Sequence, residues 1–130
     1  MKRILLVISV FIVASVLPYS CETFESANMQ VCDVENPLED LPWLKDIKLA
    51  IQLNMSPAGS QIIQYSYKGE YVFWVDVCFQ CPDGVIAVYN CAGEVICEFG
   101  GIDGRNTCID FETEATDSTN LFISIQNNTN

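Results

Sequence analysis

The sequence predicts an α+β fold in which one N-terminal helix packs on an antiparallel meander of about four strands, stabilised by disulfides. Three observations predict it. Apolar residues recur at helical spacing in the segment "LPWLKDIKLAIQLNM". Two runs of β-branched and aromatic residues follow, each interrupted by turn residues. Six cysteines lie beyond residue 30, and an ordered body of about 80 residues has so small a core that disulfides have a structural role.

The helix is expected within "NPLEDLPWLKDIKLAIQLNM". Asp40 is a suitable N-cap, and Pro42 suits the first helical turn, where a backbone N–H would have no intrahelical acceptor. The sequence Ser-Pro-Ala-Gly at residues 56–59 ends the helix. Trp43 is expected to anchor the start of the helix on the sheet, since a large ring contributes most when it packs against other apolar groups.

The first hairpin is expected in "QIIQYSYKGEYVFWVDV", with the Lys-Gly dipeptide at residues 68–69 as its turn. Side chains alternate along a strand, so Ile63, Tyr65 and Tyr67 share one face. The run at residues 71–77 is apolar on both faces and therefore predicts a central strand.

The second hairpin is expected in "VIAVYNCAGEVICEF", with its turn at residues 90–93. Gly93 suits a left-handed backbone conformation in that turn. The expected register places two sets of residues on one face of the sheet, namely Val85, Ala87 and Tyr89 from one strand and Val95, Cys97 and Phe99 from the other.

Residues 1–20 are predicted to be a signal peptide of the lipoprotein type. Two basic residues precede an apolar run of about fourteen residues, which is the length of a signal-peptide core and too short to span a bilayer. Ser20 followed directly by Cys21 resembles the bacterial lipobox, in which a peptidase cuts before the cysteine and the thiol carries the lipid; Pro18 stands where leucine is usual. The alternative is a secreted protein, because Ser20 also suits an ordinary signal peptidase.

The exported chain is expected to divide into three parts. Residues 21–37 are polar and acidic, which predicts a flexible tether. Residues 38–111 contain the helix and both hairpins and form the small α+β domain. Residues 112–130 form a polar tail, in which "LFISI" is favoured as an edge strand.

The cysteine count supports lipid attachment at Cys21. The chain has 7 cysteines, and an odd number leaves one outside a disulfide framework. With Cys21 acylated, six remain for disulfides: Cys32, Cys78, Cys81, Cys91, Cys97 and Cys108. Cys32 is expected to fasten the tether to the domain, and hairpin geometry favours a disulfide from Cys97 to Cys78 or Cys81.

The composition excludes several classes of function. The chain has no histidine, which removes Ser-His-Asp and Cys-His catalysis and the commonest ligand of zinc and copper. The net charge is −11, and loss of the two basic signal residues leaves four basic residues against 17 acidic ones, or about −13. Such a surface repels nucleic acid, so no nucleic-acid partner is expected. No metal, cofactor or enzymatic activity is expected either.

The motif Cys78-Phe-Gln-Cys81 has the spacing of a redox-active C-x-x-C or of half a zinc site. "PDG" and then a strand follow it, so no helix N-terminus is available to stabilise a thiolate. A second pair with zinc-site spacing is also lacking, because Cys91 and Cys97 are too far apart. The structural interpretation, a disulfide, is therefore favoured.

Three segments carry a family resemblance: "NPLEDLPWLKDI", "CFQCPDGVIAVYNCAGEVICEFGGIDGRNTC" and "DF" at residues 110–111. They resemble the small cysteine-rich lipoproteins of unknown function from Bacteroides-type Gram-negative bacteria, over residues 32–111. The resemblance implies a lipid-anchored protein of the cell envelope, in the outer membrane, and it carries over no catalytic residue.

The expected function is that of a non-catalytic module, anchored to the membrane by its N-terminal lipid, that binds a protein or glycan. The aromatic contact candidates are Tyr65, Tyr67, Tyr71 and Trp74. An alternative is a small inhibitor of a secreted glycosidase or protease, with residues 82–84 or 100–106 as the inserting loop. A third hypothesis is an envelope thiol oxidoreductase that uses Cys78 and Cys81.

Overall fold

The computed structural model describes residues 30–54 and 58–125. The predicted signal peptide, the lipid site at Cys21 and residues 22–29 of the predicted tether lie outside these described residues. The predicted end of the helix at residues 55–57 also lies outside them.

The fold is dominated by one antiparallel sheet of six strands. The strands are β1 (Ser60–Tyr67), β2 (Glu70–Asp76), β3 (Val85–Tyr89), β4 (Val95–Gly100), β5 (Arg105–Asn106) and β6 (Thr116–Ser124), in the spatial order β5-β4-β3-β2-β1-β6. The described residues also contain three helices, α1 (Pro37–Asp40), α2 (Pro42–Leu53) and α3 (Phe111–Glu114).

The expectation of one N-terminal helix on a meander of about four strands is therefore wrong. β5 has only two residues, too few to give a periodic pattern. β6 begins with five exposed residues and lacks the alternation that marks a half-buried strand. It is held by backbone pairing with β1, so the sheet extends through Ser124.

The first hairpin is confirmed, and so is the central position of β2 between β1 and β3. Its turn residues Lys68 and Gly69 have φ values of 53° and 84°. Positive φ at both positions characterises the two-residue turn whose twist matches that of paired strands. Glycine adopts this conformation without steric cost.

The second hairpin has the expected turn at residues 90–93, but the expected register is wrong. A register shift lies between Val88 and Tyr89, and it pairs Val88 with Cys97 and Ile86 with Phe99. Because side chains alternate with a period of two, one inserted residue moves a whole set to the opposite face. Cys97 and Phe99 therefore lie on the face of Val88, away from Tyr89.

Pro42 lies in the first turn of α2, as predicted, but Asp40 is not the N-cap of this helix. The N-cap is Leu41, which makes no capping hydrogen bond through its side chain. Asp40 ends the preceding helix α1, where its carboxylate accepts a hydrogen bond of 2.8 Å from the Asn36 backbone N–H. The expected cap is misplaced because Asn36 and Pro37 start a separate helical turn, α1, and Asp40 belongs to that turn.

Trp43 anchors α2 on the sheet, as expected. Its ring lies 5.5 Å from that of Phe73 and stacks at 5.4 Å on that of Tyr89. Its indole N–H donates a 3.1 Å hydrogen bond to the carbonyl of Cys91. The start of the helix is thus fixed to β2, to β3 and to the turn between β3 and β4.

Both faces of the sheet are covered. On one face α2 packs over a core that includes Leu44, Ile51, Ile62, Phe73 and Val75. On the opposite face the segment around α3 covers a second core, made of Tyr67, Val72, Val88, Cys97 and Phe111. The second face carries three of the four aromatic contact candidates, Tyr65, Tyr67 and Trp74.

Gly100 and Gly69 offer a matched test of backbone packing. Both have φ of 84°, but a Cβ on Gly100 would lie 2.2 Å from the carbonyl oxygen of Gly84, whereas one on Gly69 meets nothing within 4 Å. Gly69→Ala is expected to lower the free energy of unfolding by about 1 kcal/mol from the left-handed backbone alone. Gly100→Ala should cost roughly 2 kcal/mol more, because the clash adds strain. Urea unfolding measures both, and equal losses would contradict the close packing at Gly100.

Candidate functional site

The six described cysteines form three disulfides: Cys32–Cys91, Cys78–Cys81 and Cys97–Cys108. The predicted framework is confirmed, as is the fastening of the N-terminal segment through Cys32. The predicted disulfide from Cys97 to Cys78 or Cys81 is wrong. The register shift turns Cys97 toward the α3 segment, where Cys108 lies, and Cys78 and Cys81 close their own turn.

A cavity of about 250 Å³ lies on the sheet face opposite α2, and we call it the aromatic pocket. It is lined by Tyr65, Trp74, Phe111, Glu112 and Ala115. Tyr65 and Trp74 project from neighbouring strands onto the same face, as the pairing of β1 with β2 requires. The other three residues come from α3 and the position that follows it.

The position of α3 over the sheet is set by the Cys97–Cys108 disulfide. Cys97 is 1% exposed in β4, and the crosslink brings Cys108 against that strand. The Phe111 N–H then donates a 3.1 Å hydrogen bond to the carbonyl of Cys108, which closes a turn that leads into α3. The pocket wall is therefore held by a covalent bond and needs little ordering on binding.

The rings around the pocket form a packed cluster. Trp74 lies 5.0 Å from Phe99 and 5.4 Å from Phe111, and Tyr65 lies 5.5 Å from Phe111 and 6.3 Å from Trp74. These distances are within the range in which aromatic pairs attract one another. Phe111 is 3% exposed and forms the floor of the pocket, whereas Tyr65 and Trp74 are half-buried.

The pocket also presents polar atoms. Within the part of the chain that the structure describes, neither the Tyr65 hydroxyl nor the Trp74 indole N–H makes a hydrogen bond, and no buried side-chain nitrogen or oxygen lacks a partner. Both groups therefore reach solvent. With the carboxylate of Glu112, the pocket combines apolar ring surface with two hydrogen-bond donors and one negative charge.

A cationic contact lies beside the pocket in the same aromatic cluster. The Lys68 ammonium is 4.9 Å from the centre of the Tyr67 ring and forms an ion pair with Asp110. The Tyr67 hydroxyl donates a 2.7 Å hydrogen bond to the same carboxylate. The hydrogen bonds from Lys68 and then from Tyr67 hold the pKa of Asp110 below its usual range, and the bond to Asp110 raises the pKa of Lys68.

The four aromatic contact candidates do not lie together. Tyr65 and Trp74 line the pocket, and Tyr67 is buried beside it at 6% exposure. Tyr71 lines a different, polar cavity next to the Cys32–Cys91 disulfide. Phe111 and Glu112, which sequence reasoning placed at the end of the domain and in the tail, complete the pocket. A signal for them existed in "CIDFETE", where an aromatic follows closely on a cysteine.

The C-x-x-C motif forms a turn between β2 and β3, and as predicted no helix follows it. Within this turn, the Cys81 N–H donates a 2.9 Å hydrogen bond to the carbonyl of Cys78. The Asp76 carboxylate, 5% exposed, accepts a 3.0 Å bond from the Cys78 N–H. Burial raises the pKa of Asp76. Cys81 is exposed, so the sulfur of this disulfide is open to an attacking thiolate.

Mild reduction is expected to open Cys78–Cys81 before the other two disulfides. Cys81 is exposed, whereas Cys97 is buried and Cys32 and Cys91 are half-buried, and access limits thiol–disulfide exchange. Timed treatment with a dithiol, followed by alkylation and peptide mass spectrometry, measures the order. Free thiols at this pair in the untreated protein would favour the oxidoreductase hypothesis, and simultaneous opening of all three would contradict the prediction.

Two acidic side chains outside the aromatic pocket, Glu39 and Glu98, are held in ion pairs. Glu39 forms ion pairs with Lys45 and Lys48, and the hydrogen bond from Lys48 is the main cause of its lowered pKa. Glu98 pairs with Arg105 at 3.1 Å. No cluster of three potential metal ligands occurs in residues 30–54 and 58–125. None of the helices in those residues is long and apolar enough to cross a bilayer.

The fold and the pocket define a small disulfide-crosslinked sheet domain with an aromatic pocket. The chain belongs to the family described as a domain of unknown function, DUF6970, whose model matches residues 49–124. That range includes all of the sheet and α3, and therefore the whole aromatic pocket. No curated protein and no solved structure matches the chain significantly.

Replacing Asp110 with Asn is expected to flatten the acid limb of the stability profile. A carboxyl whose pKa is lower in the folded than in the unfolded chain stabilises the fold above its unfolded pKa, and this contribution is lost as the pH falls through the folded value. Lys68 and Tyr67 place Asp110 in this class. Urea unfolding between about pH 5 and about pH 2 should show a steeper loss for the wild type than for Asp110→Asn. The control Asp83→Asn, at an exposed position outside the cluster, should follow the wild type, and identical profiles for all three would contradict the prediction.

Proposed function

We propose that this chain is a non-catalytic binding module of the cell envelope, anchored in the outer membrane through a lipid on Cys21, that holds a protein or glycan in its aromatic pocket. Three disulfides support an extracytoplasmic location, because such bonds persist in oxidising compartments. The seventh cysteine then remains for lipid attachment. Two acyl chains or more give a stable anchor, since each buried methylene contributes about 0.8 kcal/mol.

The observation that carries the proposal is the exposure of Tyr65 and Trp74 in a pocket with a fixed wall. Aromatic groups of this kind are enriched in binding hot spots, where they contribute large contact area with little loss of conformational freedom. Their free polar atoms give the pocket the means to select a partner. Asp110, the carboxylate beside the pocket, is held in an ion pair with Lys68, which supports binding over catalysis.

Capture from envelope extract tests the pocket. The immobilised protein is compared with Trp74→Leu, which removes the half-exposed indole, and with Tyr71→Leu, which removes an aromatic ring from the other cavity. Capture that is lost with Trp74→Leu and kept with Tyr71→Leu supports the pocket as the binding site. Equal capture by the wild type and both variants would contradict it. The yield of correctly paired disulfides checks that each variant folds.

Mass spectrometry of the mature N-terminus tests the anchor. The expected species begins at Cys21 and carries lipid, and Cys21→Ser should release the protein from the membrane fraction. An unmodified protein in the culture medium would favour the secreted alternative.

A second candidate, inhibition of a secreted hydrolase, is favoured by one observation at the loop between β4 and β5. Ile102 is 92% exposed at the tip of this loop. Arg105, where the loop meets β5, forms ion pairs with Glu98 at 3.1 Å and with Asp103 at 3.3 Å. The Cys97–Cys108 disulfide spans the loop. An exposed apolar tip on a stiff loop is the feature that an inserting inhibitor requires, because little ordering remains on binding.

Inhibition assays against lysozyme, other secreted glycosidases and proteases test this candidate. Ile102→Asp should weaken any inhibition by at least about tenfold, as loss of an interface hot spot does. Ile109→Asp is the matched control, since Ile109 is 86% exposed but lies outside the loop. Absence of inhibition, or equal effects of the two substitutions, would remove the candidate.

A further inference from the structure

We propose that the aromatic pocket binds a cationic side chain, lysine or arginine, presented by a protein partner. The inference rests on the proposed binding function and specifies the chemistry that the pocket recognises. A cation over aromatic rings is attracted by their negative faces, and a nearby carboxylate adds to the attraction.

The same cluster already contains one contact of this type, made within the chain. Lys68 lies over the Tyr67 ring and pairs with Asp110, which immediately precedes α3. The pocket also combines a tyrosine ring with a carboxylate. Tyr65 lies two residues before Tyr67 on the same face of β1, and Glu112 lies two residues after Asp110. In the pocket the rings and the carboxylate are present, but no basic residue lines it within the described part of the chain.

No cation from the described residues is available to fill the pocket. The basic residues in that part are Lys45, Lys48, Lys68 and Arg105. Each is paired with a carboxylate: the first two with Glu39, Lys68 with Asp110, and Arg105 with Glu98 and Asp103. The other two basic residues, Lys2 and Arg3, belong to the predicted signal peptide, so after its removal a cation for the pocket would come from a partner.

The overall charge favours a basic protein over a neutral glycan. A net charge of −11 over the chain steers positively charged partners toward it and speeds their association. A cavity of about 250 Å³ is open to solvent and holds one long side chain. A neutral sugar can donate hydroxyl hydrogen bonds to the Glu112 carboxylate, but it gains nothing from the long-range attraction of the net negative charge of the chain.

The two tryptophans allow a direct test by nuclear magnetic resonance on the isotope-labelled protein with its disulfides intact. Trp74 lines the pocket, whereas Trp43 belongs to α2 on the other face of the sheet, so its indole signal is an internal control. The protein is titrated with the amides of acetyl-lysine and acetyl-arginine, and with acetyl-citrulline amide, which has the shape of arginine without its charge. The expected result is a saturable shift of the Trp74 indole signal with both cations, little shift with citrulline, and no shift of Trp43.

Variants and salt sharpen the test. Glu112→Gln should weaken cation binding by about two- to fivefold, the size expected for one exposed charge, and Glu35→Gln, exposed and outside the pocket, should leave it unchanged. Raising the salt concentration to about 1 M should weaken binding as well, since it screens exposed charges.

Three results would overturn the inference: equal binding of arginine and citrulline, parallel shifts of both indoles, or a Trp74 shift with a neutral oligosaccharide and none with the cations. The last would leave the proposed binding function standing with a glycan as the partner. Equal capture from envelope extract by the wild type and Trp74→Leu would instead remove the proposed function itself. The two failures are therefore distinguishable.

Discussion

The double substitution Cys32→Ser and Cys91→Ser is expected to lower the free energy of unfolding by about 4 kcal/mol. This disulfide joins residues 59 apart in sequence, the longest loop closed by a described crosslink. A crosslink removes more conformational freedom from the unfolded chain as its loop lengthens, which stabilises the folded state. In the folded state it also ties the N-terminal segment to the β3–β4 turn, where the Cys91 carbonyl accepts the hydrogen bond from Trp43.

The matched controls are the other two disulfides. Cys97–Cys108 spans 11 residues and Cys78–Cys81 spans 3, so their removal should cost about 3 and about 2 kcal/mol. Urea unfolding of the three double variants measures the order. A larger loss for the Cys78–Cys81 variant than for the Cys32–Cys91 variant would contradict the entropic account.

Phe73→Ala is expected to lower the free energy of unfolding by about 3–5 kcal/mol. Phe73 is fully buried at the centre of the sheet, in the core under α2, and its ring meets that of Trp43 edge to face. Removal of the ring loses the buried apolar area and leaves a cavity that β2 and α2 cannot close without moving. The same substitution should also loosen the start of α2, because Trp43 loses one of its two ring contacts.

Leu53→Ala is the control for this prediction. Leu53 also belongs to the α2 side of the sheet but is 83% exposed, so its truncation should change stability by less than about 0.5 kcal/mol. Thermal and urea unfolding measure both variants. A loss below about 1 kcal/mol for Phe73→Ala would show that Phe73 contributes little to this core.

Strong local patterns in the sequence correctly predicted the first hairpin and the central strand β2. The Lys-Gly dipeptide marks the turn of the first hairpin because only a few residues tolerate positive φ at both positions. The doubly apolar run in β2 marks a central strand because both faces are covered. Tyr65 and Trp74 could be named as contact candidates from the sequence because each is a large aromatic residue in a predicted strand. In the structure both rings are half-buried.

The predictions that were wrong concern features set by contacts between distant segments, which the local residue pattern does not encode. The shift between Val88 and Tyr89 depends on how two strands pair, and no residue type encodes it uniquely. That shift decides the face of Cys97 and therefore its disulfide partner. β6 pairs through its backbone and needs no alternating side chains, and Phe111 enters the pocket through a tertiary crosslink. The six-stranded sheet and the part of the pocket formed by the α3 segment therefore could not be predicted from the periodicity of the sequence.

The pairing of β6 with β1 has a consequence for biogenesis. β6 is the last strand in the described residues and pairs directly with β1, the first, so β1 has an open edge until residue 124 has arrived. During synthesis the chain emerges from its N-terminus, and contacts between distant segments form late because closing a long loop costs entropy. A chain truncated before residue 116 would expose β1 as an unpaired edge, the surface from which strands of separate molecules aggregate.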